Sequence, residues 1–170
     1  IMFSNTPINV KKVKTRNRLI KTNIPAPGTI KILNSLKKNE VRSMHGQLPI
    51  IWNKAKNFNV FDIKGNKFID FTSTIFVANI GHSNSTFKRK LVNSINNNLI
   101  STYAYPNKLR EVYLSKLIKF CGKGFEKAYL LSSGSEALEA CIKIIRLFAL
   151  KNKKGLGIIS VSGNWHGRTT

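Results

Sequence analysis

The residues able to do chemistry gather in two short blocks, Ser132-Ser133-Gly134-Ser135 and Gly163-Asn164-Trp165-His166-Gly167-Arg168-Thr169. The first stands just ahead of a long apolar segment with helical spacing. A helix start carries unpaired N–H groups and the positive end of the dipole, so this turn can hold an anion, and Gly134 lets the backbone come close. The same residues also suit an ordinary cap, with Ser133 or Ser135 as N-cap and Glu136 or Glu139 favouring the positive end. Local physics leaves both readings open. The second block offers an indole beside an imidazole and a guanidinium. Together the blocks suit an anionic aromatic ligand, its phosphate on Gly134 and Ser135 and its ring against Trp165.

Specific elements must position these blocks. Ala128 to Leu131 is a short apolar run that predicts a buried strand. After the Gly/Ser turn, Glu136, Glu139, Lys143 and Arg146 fall three, four and three apart, one polar stripe on an otherwise buried helix. Lys151 to Gly155 reads as a turn and Leu156 to Val161 as a second strand. Strand, helix, strand at this length is a βαβ unit, which requires a parallel sheet and a right-handed crossover. Both blocks then leave the carboxyl ends of strands, where open α/β sheets bind ligands.

Upstream, Asn59–Asp62 and Lys67–Phe71 flank Ile63-Lys64-Gly65-Asn66, a β-hairpin with Gly65 at positive φ. Pro49 to Asn57 is extended. Thr29 caps a short helix from Ile30 to Lys38, and amphipathic helices are expected from Ser85 to Leu99 and from Asn107 to Phe120. Thr72 to His82 reads as a coil of small and apolar residues, with His82 a structural hydrogen-bonder.

SGSEALEA, a strand, and then GNWHGRT resembles the large domain of the class III aminotransferases, fold type I enzymes that use pyridoxal 5′-phosphate. DIKGNKFIDFTSTIFVANIGH, Asp62 to His82, is similar to that family's N-terminal hairpin and following loop. The resemblance implies that Gly134 and Ser135 hold the cofactor phosphate, with Ser133 second in rank, and that Trp165 stacks on the pyridine ring. It makes His166 and Gly167 the residues that fix that loop, and Arg168 a grip for the substrate carboxylate or a phosphate-side cation. Ile75 and Phe76 become pocket-wall residues at a dimer interface. Glu136 would repel a phosphate, so it goes to helix-end electrostatics. Thr74 and Ser85 stand where the family commonly has Gly and Pro. The Schiff-base Lys and the acid that protonates the pyridine nitrogen are expected beyond Thr170, so no catalytic residue is assigned within the chain. It reads as the amino-terminal piece of a homodimeric cytoplasmic transaminase, inactive alone. It would move an amino group from an amino acid, commonly an ω-amino acid, or an amine to a 2-oxo acid, and an aminomutase, racemase or lyase on the same scaffold remains the alternative.

The expected architecture is α/β and incomplete: a basic arm over 1–28, disordered or partner-bound, an N-terminal segment over 29–84, and the start of the large cofactor domain over 85–170. The 170 residues are enough for a real core. No apolar run is long enough to span a membrane. Cys121 and Cys141 are too few for a disulfide scaffold, which suits a reducing compartment, and His45, His82 and His166 lack metal-ligand spacing. The net charge is +22, with 29 Lys and Arg against 7 Asp and Glu. That invites a nucleic-acid-binding module as a rival from another class. The cations are scattered, however, and no nucleic-acid motif accompanies them, so a Lys/Asn-rich bias spread over solvated faces is preferred.

Overall fold

The structure, a computed structural model, describes residues 3–169. The first two residues of the expected arm and the last residue of the expected cofactor domain lie outside the described residues. The chain forms two compact units, one ending at Ser101 and the other starting at Thr102. The helix beginning at Ser85 therefore belongs to the first unit, where the sequence reading placed it in the second.

The first unit is built on a five-stranded antiparallel sheet in the order β1-β2-β5-β4-β3. Its strands are β1 (Val13–Lys14), β2 (Leu19–Ile20), β3 (Trp52–Lys56), β4 (Asn59–Asp62) and β5 (Lys67–Ile69). The β4–β5 hairpin forms at the expected place, pairing Val60 with Phe68 and Phe61 with Lys67, and Gly65 takes φ 77 in its turn. A side chain with a Cβ is strained there, which is why the turn needs glycine.

The segment expected as a disordered arm carries β1 and β2 instead. Each strand is only two residues long, too short for alternation to register. What fixes them is Asn66, fully buried at the hairpin turn. Its Oδ1 accepts from the backbone N–H groups of Lys21 at 2.9 Å and Thr22 at 3.3 Å. Its Nδ2 donates to Thr22 Oγ1 at 2.7 Å and to Asp62 Oδ2 at 2.6 Å. Asp62 Oδ1 takes the Lys64 and Asn66 N–H groups, so a buried amide and a buried carboxylate satisfy one another.

Helix α1 (Thr29–Asn39) starts from Gly28 at φ 91. Thr29 is not its cap: its side chain is buried inside the first turn. Next in order, α2 (Ser73–Phe76) is a single left-handed turn, and α3 (Ser85–Asn96) is capped by Asn84, whose side chain accepts from Phe87 N–H.

The second unit contains α4 (Lys108–Cys121), capped by Asn107, and α5 (Gly134–Lys151). Residues 128–131 and 156–161 were expected as strands of a parallel sheet. Among the described residues they join no ladder, and their apolar side chains are exposed. A parallel pair needs neighbours brought from far along the chain, and no described residue supplies them. The helix expected to be buried is open for the same reason, with only Ala149 buried along α5.

Candidate active site

At the start of α5 the cap is formed. Ser133 is the N-cap, its Oγ accepting from Glu136 N–H at 3.2 Å. The Glu136 carboxylate reaches back to the N–H groups of Ser132 at 2.9 Å and Ser133 at 3.1 Å, a complete capping box. The box leaves two first-turn donors over. The N–H groups of Gly134 and Ser135 meet no acceptor among the described residues. A Cβ added to Gly134 would find nothing within 4 Å, so a ligand has room to approach the backbone.

The second block comes against this turn. Gly163 at φ 76 and the hydrogen bond from Asn164 N–H to Val161 O, 3.1 Å, make a tight turn out of the extended segment. Four residues on, Gly167 lies on Ser135. A Cβ at 167 would stand 2.5 Å from Ser135 Oγ and 2.8 Å from its Cβ, and the backbone there has φ +114. Only glycine allows both the contact and the conformation. Gly134, Ser135 and Gly167 are thus brought together.

Trp165 is 70% exposed. Its contact is the Arg168 guanidinium, 5.7 Å from the ring centroid. His166 is exposed. Among the described residues no cluster of His, Cys, Asp or Glu could hold a metal ion.

In the first unit, Ile75 and Phe76 sit on α2, exposed by 68% and 77%. Ser73, Thr74, Ile75 and Phe76 all have left-handed φ, between 48 and 66. L-residues other than glycine pay roughly 1–2 kcal/mol each for this conformation. A cavity of about 380 Å³ lies beside the turn, lined by Asn57, Phe58, Asp70, Ser73, Ile80 and His82 among others, but not by Ile75 or Phe76.

Sequence reasoning passed over Asp70. Its Oδ2 lies 2.7 Å from His82 Nε2, and its Oδ1 accepts from Thr72 N–H at 2.9 Å, Thr72 Oγ1 at 2.7 Å and Ser73 N–H at 3.1 Å. Burial pushes this carboxyl up, but the bonds from His82 and Thr72 outweigh it and hold the group below its ordinary 3.8. The Asp70 side chain is only 2% exposed. The scarcity of acids was the available signal. With 7 among 170 residues, each is worth asking what it holds.

The family model described as aminotransferase class-III matches residues 41–170. The chain belongs to the class III aminotransferases. Acetylornithine aminotransferase of Methanocaldococcus jannaschii is 33% identical over 140 residues, covering 79% of this chain and 34% of that protein. The mitochondrial ornithine aminotransferase of Oryza sativa subsp. japonica is 28% identical over 140 residues, 79% of this chain and 29% of that one. Among solved structures, acetylornithine aminotransferase from Elizabethkingia anophelis aligns with a TM-score of 0.64 at 26% identity, over 74% of this chain and 32% of that chain. This class III chain spans about a third of the length of the curated relatives it matches. Its small antiparallel sheet and helices make an incomplete α/β, fold type I architecture.

Proposed function

We propose that this class III chain is the cofactor-phosphate and pocket-wall portion of a transaminase using pyridoxal 5′-phosphate, moving an amino group from an ω-amino acid or amine to a 2-oxo acid. The observation that carries the reading is the pair of spare N–H groups at Gly134 and Ser135, left by a complete capping box, with Gly167 seated on Ser135. The residues fit the group. Two free donors at a helix N-terminus suit a phosphate dianion, and the contact at Gly167 ties the loop bearing the indole to those donors.

Bound there, pyridoxal phosphate supplies an electron sink for the bond-breaking at the substrate's amino-bearing carbon. The chain's residues do the positioning. Gly134 and Ser135 bind phosphate oxygens through N–H groups, and Ser133 and Glu136 hold the turn in the conformation that aims them. Trp165 offers its face to the ring, and Arg168, stacked on the indole, carries the positive charge to which a substrate carboxylate is drawn. Ile75 and Phe76 are proposed as wall residues in a homodimer, supported by their exposure together with Val77 and Ile80. The named relatives act on acetylornithine or ornithine, which favours that ω-amino class of donor for this chain. A reducing compartment is proposed, supported by the free thiols of Cys121 and Cys141. Among the described residues no helix is long and apolar enough to cross a membrane.

The test is ligand titration of the chain, read by tryptophan fluorescence with Trp52→Phe as background so that Trp165 reports. Pyridoxal phosphate should quench the signal and inorganic phosphate should compete. Pyridoxal without the phosphate should bind at least tenfold more weakly, the loss expected on removing charge-assisted hydrogen bonds of about 1.5–3 kcal/mol. Gly167→Ala should weaken pyridoxal phosphate similarly. Equal binding of the two forms would remove the phosphate cradle.

A further inference from the structure

The segment from Asp70 to His82 is a loop tied at both ends to one place. Asp70 N–H donates to Phe58 O at 2.8 Å. At the far end, His82 and Asn57 exchange both backbone hydrogen bonds, at 2.7 and 2.8 Å. Gly81 lies so near that an added Cβ would touch Asn57 Cα at 3.4 Å. The side chains repeat the closure: the Asp70 carboxylate and the His82 imidazole meet at 2.7 Å, and Trp52 sets its ring edge-on to the imidazole at 5.9 Å and 83°.

What this loop carries does not hold itself. Four successive left-handed residues without a glycine form α2, two of them β-branched. Within α2, Phe76 N–H reaches Thr72 O at 3.2 Å, and Val77 and Ala78 N–H share Ser73 O at 2.9 Å. Its apolar side chains face solvent, and a cavity lies alongside. Packing is therefore absent on both sides as a reason for the turn to persist. The entry to the turn is fixed by something else: Thr72 N–H, Thr72 Oγ1 and Ser73 N–H all converge on Asp70 Oδ1. One carboxylate thus pins the first residues of the strained turn with one oxygen and the end of the loop with the other.

We infer that Asp70 and His82 are positioning residues: a clasp that holds α2 in its left-handed conformation and so sets where Ile75 and Phe76 stand. The carboxylate is ionised, so His82 Nε2 carries the proton and donates. The two residues act through the turn, in keeping with strained backbone being found where the surroundings over-determine it. The importance of the clasp to a substrate rests on the transaminase reading above. The clasp itself does not, and the experiment below reads it without cofactor or substrate.

Amide hydrogen exchange in the whole chain tests it, with Val60, Phe61 and Phe68 of the hairpin as internal reference. Asp70→Ala should speed exchange at Phe76, Val77 and Ala78 by roughly tenfold or more, the effect of losing a charge-assisted hydrogen bond on a local opening equilibrium, while the hairpin amides stay within about threefold. His82→Ala should act in the same direction, and His82→Gln, which keeps a donor, should return the turn to within about threefold of the parent. Unchanged exchange in α2 on Asp70→Ala overturns the clasp. Equal acceleration of hairpin and turn overturns it too, since that is loss of general stability. If Asp70→Ala does not fold, the His82→Ala and His82→Gln pair decides: no rescue by glutamine refutes the assignment. Absence of pyridoxal phosphate binding in the parent chain, with the exchange results as expected, would sink the transaminase reading and leave the clasp standing.

Discussion

The hairpin unit and the α5 unit contain similar raw material, and they spend their backbone polar groups differently. In the first, β3, β4 and β5 follow one another closely in sequence, so their N–H and C=O groups find partners nearby and the ladder closes antiparallel, and β2 joins it from farther off at Lys67. In the second, residues 128–131 and 156–161 are as apolar as any strand in the first, yet they meet no ladder partner among the described residues. Buried aliphatic residues follow the same division, with Ile20, Ala26 and Val60 in the first unit and Ala149 in the second. Apolar sequence is thus insufficient for a strand. The partner has to be reachable, and for parallel strands it lies a crossover away.

The comparison breaks most sharply at Asn66. Asn66→Ala would strand two part-buried donors, Lys21 N–H and Thr22 N–H, and the buried Asp62 carboxylate oxygen. At about 1–3 kcal/mol for each unsatisfied group, the sheet should lose about 3–5 kcal/mol. Urea unfolding followed at β4 and β5 amides measures it, and the exchange of α5 amides should not respond. A loss below about 1 kcal/mol would mean that β1 and β2 are held by something other than this side chain.

Where the fold was legible from sequence follows from the same physics. The Ile63–Asn66 turn and the starts of the helices near Ser85 and Asn107 were readable because each is decided within four residues, the last two by the Asn84 and Asn107 caps. β1 and β2 were not, because their anchor lies 44 and 45 residues away and the strands are too short to show alternation. The left-handed turn was invisible for a different reason. Thr74 and Ile75 are among the residues least suited to that region, so no propensity argument points there, and the turn rests on the Asp70 bonds together with the Thr72 cap on Thr74 N–H. At the site, Gly134, Ser135 and Gly167 announced themselves as small residues at a helix start and in a loop. Asp70 had no local pattern to betray it.

A smaller effect sharpens the contrast within the second unit. Ser133→Ala removes the cap that Glu136 N–H uses and should cost α5 about 1 kcal/mol. Because α5 starts beside the proposed phosphate site, the loss should appear as faster exchange in the first turn, with the hairpin amides unaffected. Accelerated exchange throughout the chain would show that the units are energetically one.

Acid separates the units in another way. Asp70 is held below its ordinary 3.8 in the folded chain, despite burial, by the bonds from His82 and Thr72. A depressed carboxyl contributes stability that is fully present above its unfolded value and is lost as pH falls through its folded value. The amides of Thr72 and Ser73 should therefore stay protected from neutral pH down to the ordinary carboxylate range and open only below it. Asp70→Asn should remove that acid step. Opening that begins near neutral pH would place the control on another group.

The smallest expected effect is also the most direct probe of the open helix. Ile145 is exposed in the middle of α5, where a buried isoleucine would be expected on a crossover helix of a complete parallel sheet. If the chain stands as described, Ile145→Gln removes no packing and exchanges a β-branched residue for a better helix former, so stability should change by less than about 0.5 kcal/mol. A buried isoleucine truncated to a polar group costs several times more, through the lost transfer energy and the buried amide. Thermal or urea unfolding of the pair distinguishes the two at once. A cost of about 3 kcal/mol would mean that this face is covered in solution, and dilution of the parent chain would then show whether the cover comes from a second copy, since self-association makes the cost depend on concentration.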